Sequence, residues 1–365
     1  MDAIRHHAFG PPEVLTLEQI PDPVPGPGEV LVDAVAHGVH LVDVTVRRGE
    51  SGPPLPLPSL PTVPGREIAG TVADVAPGVD PSWIGRSVAA HLGRVPDGGG
   101  YARRVAVAAD KLHAIPDSPG GNPLDPADAI AMIGTGRMAV YTLDIAAPTA
   151  TDVVVVTAAA GGLGTLFVQE ALHTGARVIA LAGSDTKLAR LRELLPDVPT
   201  AGETDGQSGT ARLALVDYAA PGWTAAARAA LGDSPATLVL DGVGGDLGTA
   251  ATTLLDGTDG TGARTGDSTG AAPGRLVAYG WASGAPNRYT SWAGDDRIES
   301  TVEVRYALGP DAPPMPDQRP YQERALARAA SGRWRVVTRR VPFAEAARAH
   351  RELEERRTTG KVVLV

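Results

Sequence analysis

Val153-Val-Val-Val-Thr-Ala-Ala-Ala-Gly161-Gly-Leu-Gly164 is the stretch whose reading decides the fold. Four consecutive valines suit a strand buried on both faces of a parallel sheet. Small residues then turn the chain into an apolar helical run that reaches Thr174, and Gly175 precedes a second apolar strand, Arg177 to Ala182. This strand–helix–strand unit places glycines where the pyrophosphate of a dinucleotide would approach a helix N-terminus. The spacing is A-x-x-G-x-x-G rather than G-x-G-x-x-G, so its weight comes from the two flanking strands. It reads as a nicotinamide dinucleotide site.

Outward from that unit, strands and helices alternate. A helix-like segment from Ala127 to Ala146 precedes it, and Leu213–Asp217, Thr237–Asp241 and Arg275–Gly280 follow as further strands. The expected fold class is α/β, a doubly wound parallel Rossmann sheet. Residues 1 to about 125 differ in texture. Short β-type runs such as Val30–Val35 and Ile68–Val75 are separated by proline-rich connectors, which predicts a compact barrel-like β domain. Asp256 to Gly274, rich in Gly, Thr, Asp and Ser, reads as a flexible surface loop. Beyond the proline-rich connector Pro310–Pro320, the pattern predicts a helix (Tyr321–Ala330), a strand (Arg335–Arg339), an amphipathic helix (Phe343–Glu355) and a closing strand (Lys361–Val365).

Composition narrows the function classes. The 365-residue chain has a formal charge of −9, a hydrophobic fraction of 43%, 44 Gly and 32 Pro, with a pI near 5.4. Such acidity argues against nucleic acid or an anionic membrane as partner. With no cysteine, disulfides, thiolate zinc sites and a cysteine nucleophile are excluded. No apolar run reaches membrane-spanning length and the first residues lack a signal-peptide core, so a cytoplasmic protein with a small-molecule substrate is expected.

Six motifs in order along the chain carry a resemblance: Gly38-Val-His40-Leu-Val-Asp43-Val-Thr45-Val-Arg47-Arg-Gly49; Val63-Pro-Gly65-Arg66-Glu67-Ile-Ala-Gly70; Gly99-Gly-Tyr101 through Lys111; Gly134-Thr135-Gly136 through Thr142; Leu240-Asp-Gly-Val-Gly-Gly245; and Arg357-Thr-Thr-Gly-Lys361-Val-Val-Leu364. The chain resembles the zinc-free quinone oxidoreductase branch of the medium-chain dehydrogenase/reductase (MDR) superfamily. That resemblance implies a GroES-like β domain at 1–125 and 310–365, a Rossmann domain at 126–309, a cleft between them, and a homodimer.

The resemblance also implies cofactor-binding positions: Thr135, Ala160, Gly161, Gly162, Leu163, Gly164, Gly183, Ser184, Lys187, Tyr218, Gly242, Val243, Tyr279, Gly280 and Lys361. An NAD site ends its second strand in an acidic residue, whereas an NADP site puts positive charge there. Here the strand ends in Gly183 with Lys187 four residues on, which favours NADPH. Asp185 would serve a ribose instead if the strand ended later, and Lys187 would then be an ordinary solvated lysine.

Candidate catalytic residues are His40, Asp43, Thr45 and Trp281. Zinc-dependent relatives need a thiolate and a His-Glu pair. His40 and Arg66-Glu67 stand at those places, a poor zinc set, so a metal-free site is expected. Zinc-free relatives carry Asn at His40, Tyr at Thr45 and often a second Tyr near Ser51, so both tyrosines that face a quinone are missing. His40 is the remaining titratable donor, a proton source or substrate clamp, or else a hydrogen-bonded histidine of the domain seam. Asp43 and Arg47 pair with each other or pin the adjacent loop. His91 and Tyr101 are expected near the cleft in structural roles. Trp281 stands where enoyl reductase modules have lysine; with Trp292 and Tyr289 it lines an apolar pocket or a subunit contact. The expected activity is NADPH-dependent reduction of an enone, quinone or related carbonyl, in specialised metabolism. The alternatives are a non-redox cyclisation or rearrangement on the same scaffold and a non-catalytic NADPH sensor.

Overall fold

The computed structural model describes residues 1–50, 56–93, 99–118, 120–198, 212–255, 273–315 and 317–365. The chain divides into two compact units, Met1–Arg137 with Gln318–Val365, and Met138–Asp317.

The second unit holds a six-stranded sheet. In chain order its strands are Val153–Val156, Arg177–Ala182, Leu213–Asp217, Leu238–Asp241, Arg275–Ala278 and Glu303–Tyr306. Numbered by that order they lie 3-2-1-4-5-6 across the sheet, and every pairing is parallel. This is the doubly wound dinucleotide-binding order, whose switch point falls beside the first strand. Val153–Val156 is buried throughout because helices cover both faces. The last strand was absent from the expected set: Glu-Val-Arg-Tyr reads as polar because an edge strand is only half covered.

The first unit is a GroES-like β domain built on a seven-stranded sheet. Glu29–Gly38 is its spine, pairing antiparallel with Glu67–Val75, with Arg104–Ala108 and with the closing strand Lys361–Leu364. Ser87–His91 and Leu112–Ala114 extend it on one side, and Thr338–Val341 on the other. The Glu29–Glu67 strand pair carries two register shifts, after Leu31 and after Ala34. Such bulges bend strands and re-aim side chains.

Three expected elements differ. The single helix expected over Ala127–Ala146 is two helices, Pro126–Ala131 and Arg137–Ala146, joined by a π-type turn at Met132–Gly136. The turn occurs where the chain passes Glu67, since a Cβ on Gly134 would lie 1.7 Å from Glu67 Oε1. The amphipathic helix expected from Phe343 divides into a short 3-10 turn, Phe343–Glu345, and the helix Ala346–Glu354. The strand expected at Arg335 begins at Thr338. Of the expected flexible loop, residues 256–272 lie outside the described residues, as does Ser51.

Candidate functional site

The second unit leads its first strand into a helix through a tight backbone turn. After Val156 the chain turns through Ala158, whose φ of 47° is left-handed, and enters the helix Gly162–His173 at an extended Gly161. No side chain caps this helix, so its leading amides keep their donors for an incoming acceptor. Gly164 has no alternative: a Cβ there would meet the Ala158 carbonyl at 2.3 Å and Ala159 Cα at 2.7 Å. Tyr279 braces the turn, its hydroxyl donating to the Thr157 carbonyl at 3.3 Å and its ring edge-on to Phe167 at 5.0 Å. Burial pushes the Tyr279 phenol up, so it stays protonated.

Gly242–Gly244 is held by a residue absent from the expected set. Asp241, fully buried, accepts from Thr157 Oγ1 at 2.8 Å and from the Val243 and Gly244 amides at 3.0 and 3.2 Å, while Asn287 Nδ2 donates to its other oxygen at 2.9 Å. A carboxylate whose lone pairs are satisfied this way is a rigid post for the loop. Gly242 lies under the Tyr279 ring, where a Cβ would come within 2.1 Å.

At the end of the second strand, Gly183 packs beneath Tyr218, whose hydroxyl is 2.8 Å from where a Cβ would be. Ser184 caps the next helix, Asp185–Leu194, accepting from the Lys187 amide. Gly183, Ser184, Lys187 and Tyr218 are therefore neighbours. The residues present suit a dinucleotide: bare amides for the diphosphate and no acidic side chain at the strand end.

The first unit gathers a second cluster. The strand Glu67–Val75 buries Glu67 completely at its first residue, and glycines make room: a Cβ on Gly38 would lie 2.2 Å from Glu67 Oε2. His40 Nε2 is 2.6 Å from Glu67 Oε2. Lys361 Nζ is 2.7 Å from His40 Nε2 and 3.3 Å from Glu67 Oε2. Lys361 is 5% exposed, and the His40 side chain, the opening of the cluster, 21%. His40 begins the short helix Leu41–Arg47, and its amide donates to Asp43 Oδ2 at 2.8 Å.

Burial pushes the His40 imidazole down, against the opposing pull of Glu67. Burial also lowers Lys361, with Glu67 and Asp43 resisting. Desolvation favours a neutral Glu67, but the facing His40 and the Lys361 ammonium outweigh it and hold the carboxyl well below the usual range. Near neutrality the cluster is a carboxylate, an ammonium and a neutral imidazole whose Nε2–H donates to Glu67 Oε2 at 2.6 Å.

Asp43 and Arg47 do not pair with each other. Asp43 faces Arg66 at 3.6 Å, and Arg47 donates to Glu354 of the helix Ala346–Glu354. Thr45 Oγ1 donates back to the Leu41 carbonyl at 3.2 Å. Thr135 is buried in the π turn. His91 Nδ1 accepts from the Gly93 amide, and burial takes that imidazole down to about 3. Tyr101 is fully buried, its hydroxyl 3.1 Å from His350 Nε2. In the second unit Trp281 is 44% exposed and edge-on to Trp292, which leans on Tyr306. Tyr289 is not part of that ladder; it is buried in the sheet core.

Among the described residues no three His, Asp or Glu side chains are arranged to hold a metal ion. The donor set does not suit zinc either: the chain has no thiolate, and the Lys361 ammonium sits against both His40 and Glu67, where a cation would have to be.

Similarity to known proteins agrees with this anatomy. Residues 26–117 match the family described as alcohol dehydrogenase GroES-like domain, and residues 211–364 the family described as zinc-binding dehydrogenase. A quinone oxidoreductase of Pseudomonas aeruginosa is 29% identical over 99% of this chain and 98% of its own length. A 2-haloacrylate reductase of a Burkholderia species is 32% identical over 189 residues, 52% of this chain and 55% of that protein. Matches to several other curated relatives likewise span about half their length. Among solved structures, a mycobacterial protein in complex with NADPH superposes with a TM-score of 0.71 at 27% identity, covering all of this chain and 99% of that one. Escherichia coli quinone oxidoreductase complexed with NADPH has the same fold, with a TM-score of 0.74 at 23% identity over the full length of both chains.

A parallel nucleotide-binding sheet and a GroES-like unit together define the medium-chain dehydrogenase/reductase class. Two family models of that class match this chain, over residues 26–117 and 211–364, and it is similar over its full length to a quinone oxidoreductase.

Proposed function

We propose that the protein is an NADPH-dependent, zinc-independent oxidoreductase that reduces an enone, quinone or related carbonyl small molecule in specialised metabolism. The observation that carries this reading is the uncapped helix end at Gly161–Gly164 together with a second strand that ends in glycine. The bare amides suit a diphosphate. Gly183, Ser184, Lys187 and Tyr218 offer a 2′-phosphate neutral donors and a cation instead of a repelling carboxylate.

NADPH supplies the hydride when bound. The chain's own residues hold the cofactor, exclude water and manage the proton. Hydride addition to an enone leaves negative charge on the carbonyl oxygen, and His40 supplies the balancing proton. Thr45 and the Trp281 ladder take the places where relatives present other side chains to substrate, so they shape specificity. The acidic, cysteine-free composition suits a cytoplasmic protein, and the homodimer is what the resemblance implies.

The test is oxidation of NADPH by the purified protein against a panel of enones and quinones, followed by nicotinamide absorbance. Turnover that prefers NADPH over NADH, with the preference lost in Lys187→Ala, supports the reading. Stabilisation by NADPH without turnover of any acceptor would favour a non-redox enzyme or a sensor on this scaffold.

A further inference from the structure

Asn287 lies on the loop that follows the fifth strand of the second unit, Arg275–Ala278, and is buried. Its amide has one usable orientation. Nδ2 donates to Asp241 Oδ2 at 2.9 Å and to Thr252 Oγ1 at 3.0 Å, while Oδ1 accepts from the Tyr289 amide at 3.1 Å. Turned over, it would set Oδ1 against the Asp241 carboxylate. Asp241 needs that donor. It ends the fourth strand, Leu238–Asp241, fully buried, and its partners (Thr157, the Val243 and Gly244 amides, and Asn287) are all neutral. A buried carboxylate without a cation is tolerated only where donors fill its lone pairs. Gly248 leaves the room, since a Cβ there would lie 2.2 Å from Oδ2. Tyr279 is the titratable group facing Asp241, and burial and that charge push its phenol up.

Asp241 and Asn287 also join two loops. The Ala282 amide donates to the Gly242 carbonyl at 3.0 Å, the Ser283 amide to the Val243 carbonyl at 2.8 Å, and the Gly245 amide to the Ala285 carbonyl at 2.9 Å. Gly244, at φ 66°, passes so close that a Cβ would meet the Ala285 carbonyl at 2.3 Å. Residues 242–245 and 279–287 therefore form one body, pinned at its buried side by the Asp241–Asn287 bond. Trp281 rides on that body with its side chain half-exposed.

We infer that Asn287 is a positioning residue of the cofactor site: acting through Asp241, it sets where the backbone of Gly242, Val243 and Gly280 stands and where Trp281 is presented. This rests on the reading of those backbone positions as part of an NADPH site. Asn287 does not need to touch the ligand; it removes the freedom of two loops to part, so the site is ordered before NADPH arrives.

The experiment is calorimetric titration of the full-length protein with NADPH, comparing wild type, Asn287→Leu and Asn287→Asp. Leucine keeps the bulk and withdraws the donor, so NADPH affinity should fall about tenfold. In Asn287→Asp the introduced carboxyl donates to Asp241 while protonated, and repels it once ionised. Burial and the facing carboxylate raise the pH at which that happens. The ratio of the Asn287→Asp Kd to the wild-type Kd should thus grow from about one near pH 6 to about ten near pH 9. A stabilising role alone would lower the denaturation midpoint and leave that ratio flat. Wild-type affinity in a folded Asn287→Leu protein, or a pH-independent ratio in Asn287→Asp, would overturn the inference. Should Asn287→Leu fail to fold, the pH series of Asn287→Asp decides by itself. A wild type that does not bind NADPH sinks the cofactor reading and this inference together, whereas wild-type binding matched by Asn287→Leu sinks the inference alone.

Discussion

Glycine in this chain marks where other groups must come close, and those groups form the site. Gly164 admits the Ala158 carbonyl, Gly242 the Tyr279 ring, and Gly38 and Gly134 the Glu67 carboxylate. Gly164→Ala should therefore destabilise the fold by about 1–3 kcal/mol by overpacking against backbone that cannot retreat. Urea denaturation would show it, and an unchanged midpoint would mean the turn is looser than the geometry requires. The glycines at 161–164 were legible from the motif, because a nucleotide-binding turn demands them at fixed offsets. Glu67 was legible only as a misplaced zinc ligand. Its partner Lys361 is 294 positions away in the chain (361 − 67), and no local pattern announces such a pair. Asp241 was missed because a carboxylate after a strand reads equally well as a surface turn; only its four donors show it to be internal.

Among elements, the short helix Leu41–Arg47 has too few turns to be stable alone, and Arg47 ties it down. Arg47 is 1% exposed, donates to Glu354, and keeps Nε and Nη1 without a hydrogen-bond partner. Glu354→Gln should cost more stability than Arg47→Met, about 1–3 kcal/mol, since it strands a buried guanidinium whereas methionine removes the charge and keeps the bulk. Comparison of denaturation midpoints tests the order, and a harmless Glu354→Gln would show the pair to be incidental. The alternatives weighed from sequence were an Asp43–Arg47 pair or an anchored loop. Spacing of four on a helix favours the pair, but Asp43 is drawn to the amide of His40 and to Arg66 instead. Likewise the apolar strands announced themselves by composition, whereas the edge strand Glu303–Tyr306, polar on its open side, did not.

For the molecule as a whole, buried imidazoles set the response to acid. Burial carries His37 and His91 down to about 3 and His350 to about 4. Their unfolded counterparts titrate near 6.5, so between that value and the folded ones the unfolded chain binds more protons. Stability is then full above about pH 6.5 and falls as pH drops, by up to about 1.4 kcal/mol per pH unit for each histidine. Glu67, depressed in the fold, adds loss in the same direction once pH falls below the usual carboxylate range. Denaturation midpoints measured from pH 7 to pH 4 should decline steeply, and a flat profile would mean these histidines are not held neutral. Order and parallel pairing of the central sheet were readable because strand–helix alternation leaves few topologies. The expectation that the C-terminal residues return to the N-terminal unit, as Gln318–Val365 do, rested partly on the resemblance, since no rule of periodicity says where a chain returns.

The central claim is that backbone amides at the start of the helix Gly162–His173 hold the cofactor diphosphate. Gly162→Pro tests it most directly. Proline suits the first position of a helix, and Gly161 before it is already extended (φ −78°, ψ 172°). The substitution thus deletes one amide donor and leaves the fold intact. Calorimetric titration with NADPH should show affinity reduced about 10- to 100-fold, the worth of one hydrogen bond to a charged group, with the ligand-free melting temperature unchanged. NADPH binding at wild-type affinity by a normally folded Gly162→Pro protein would contradict the account.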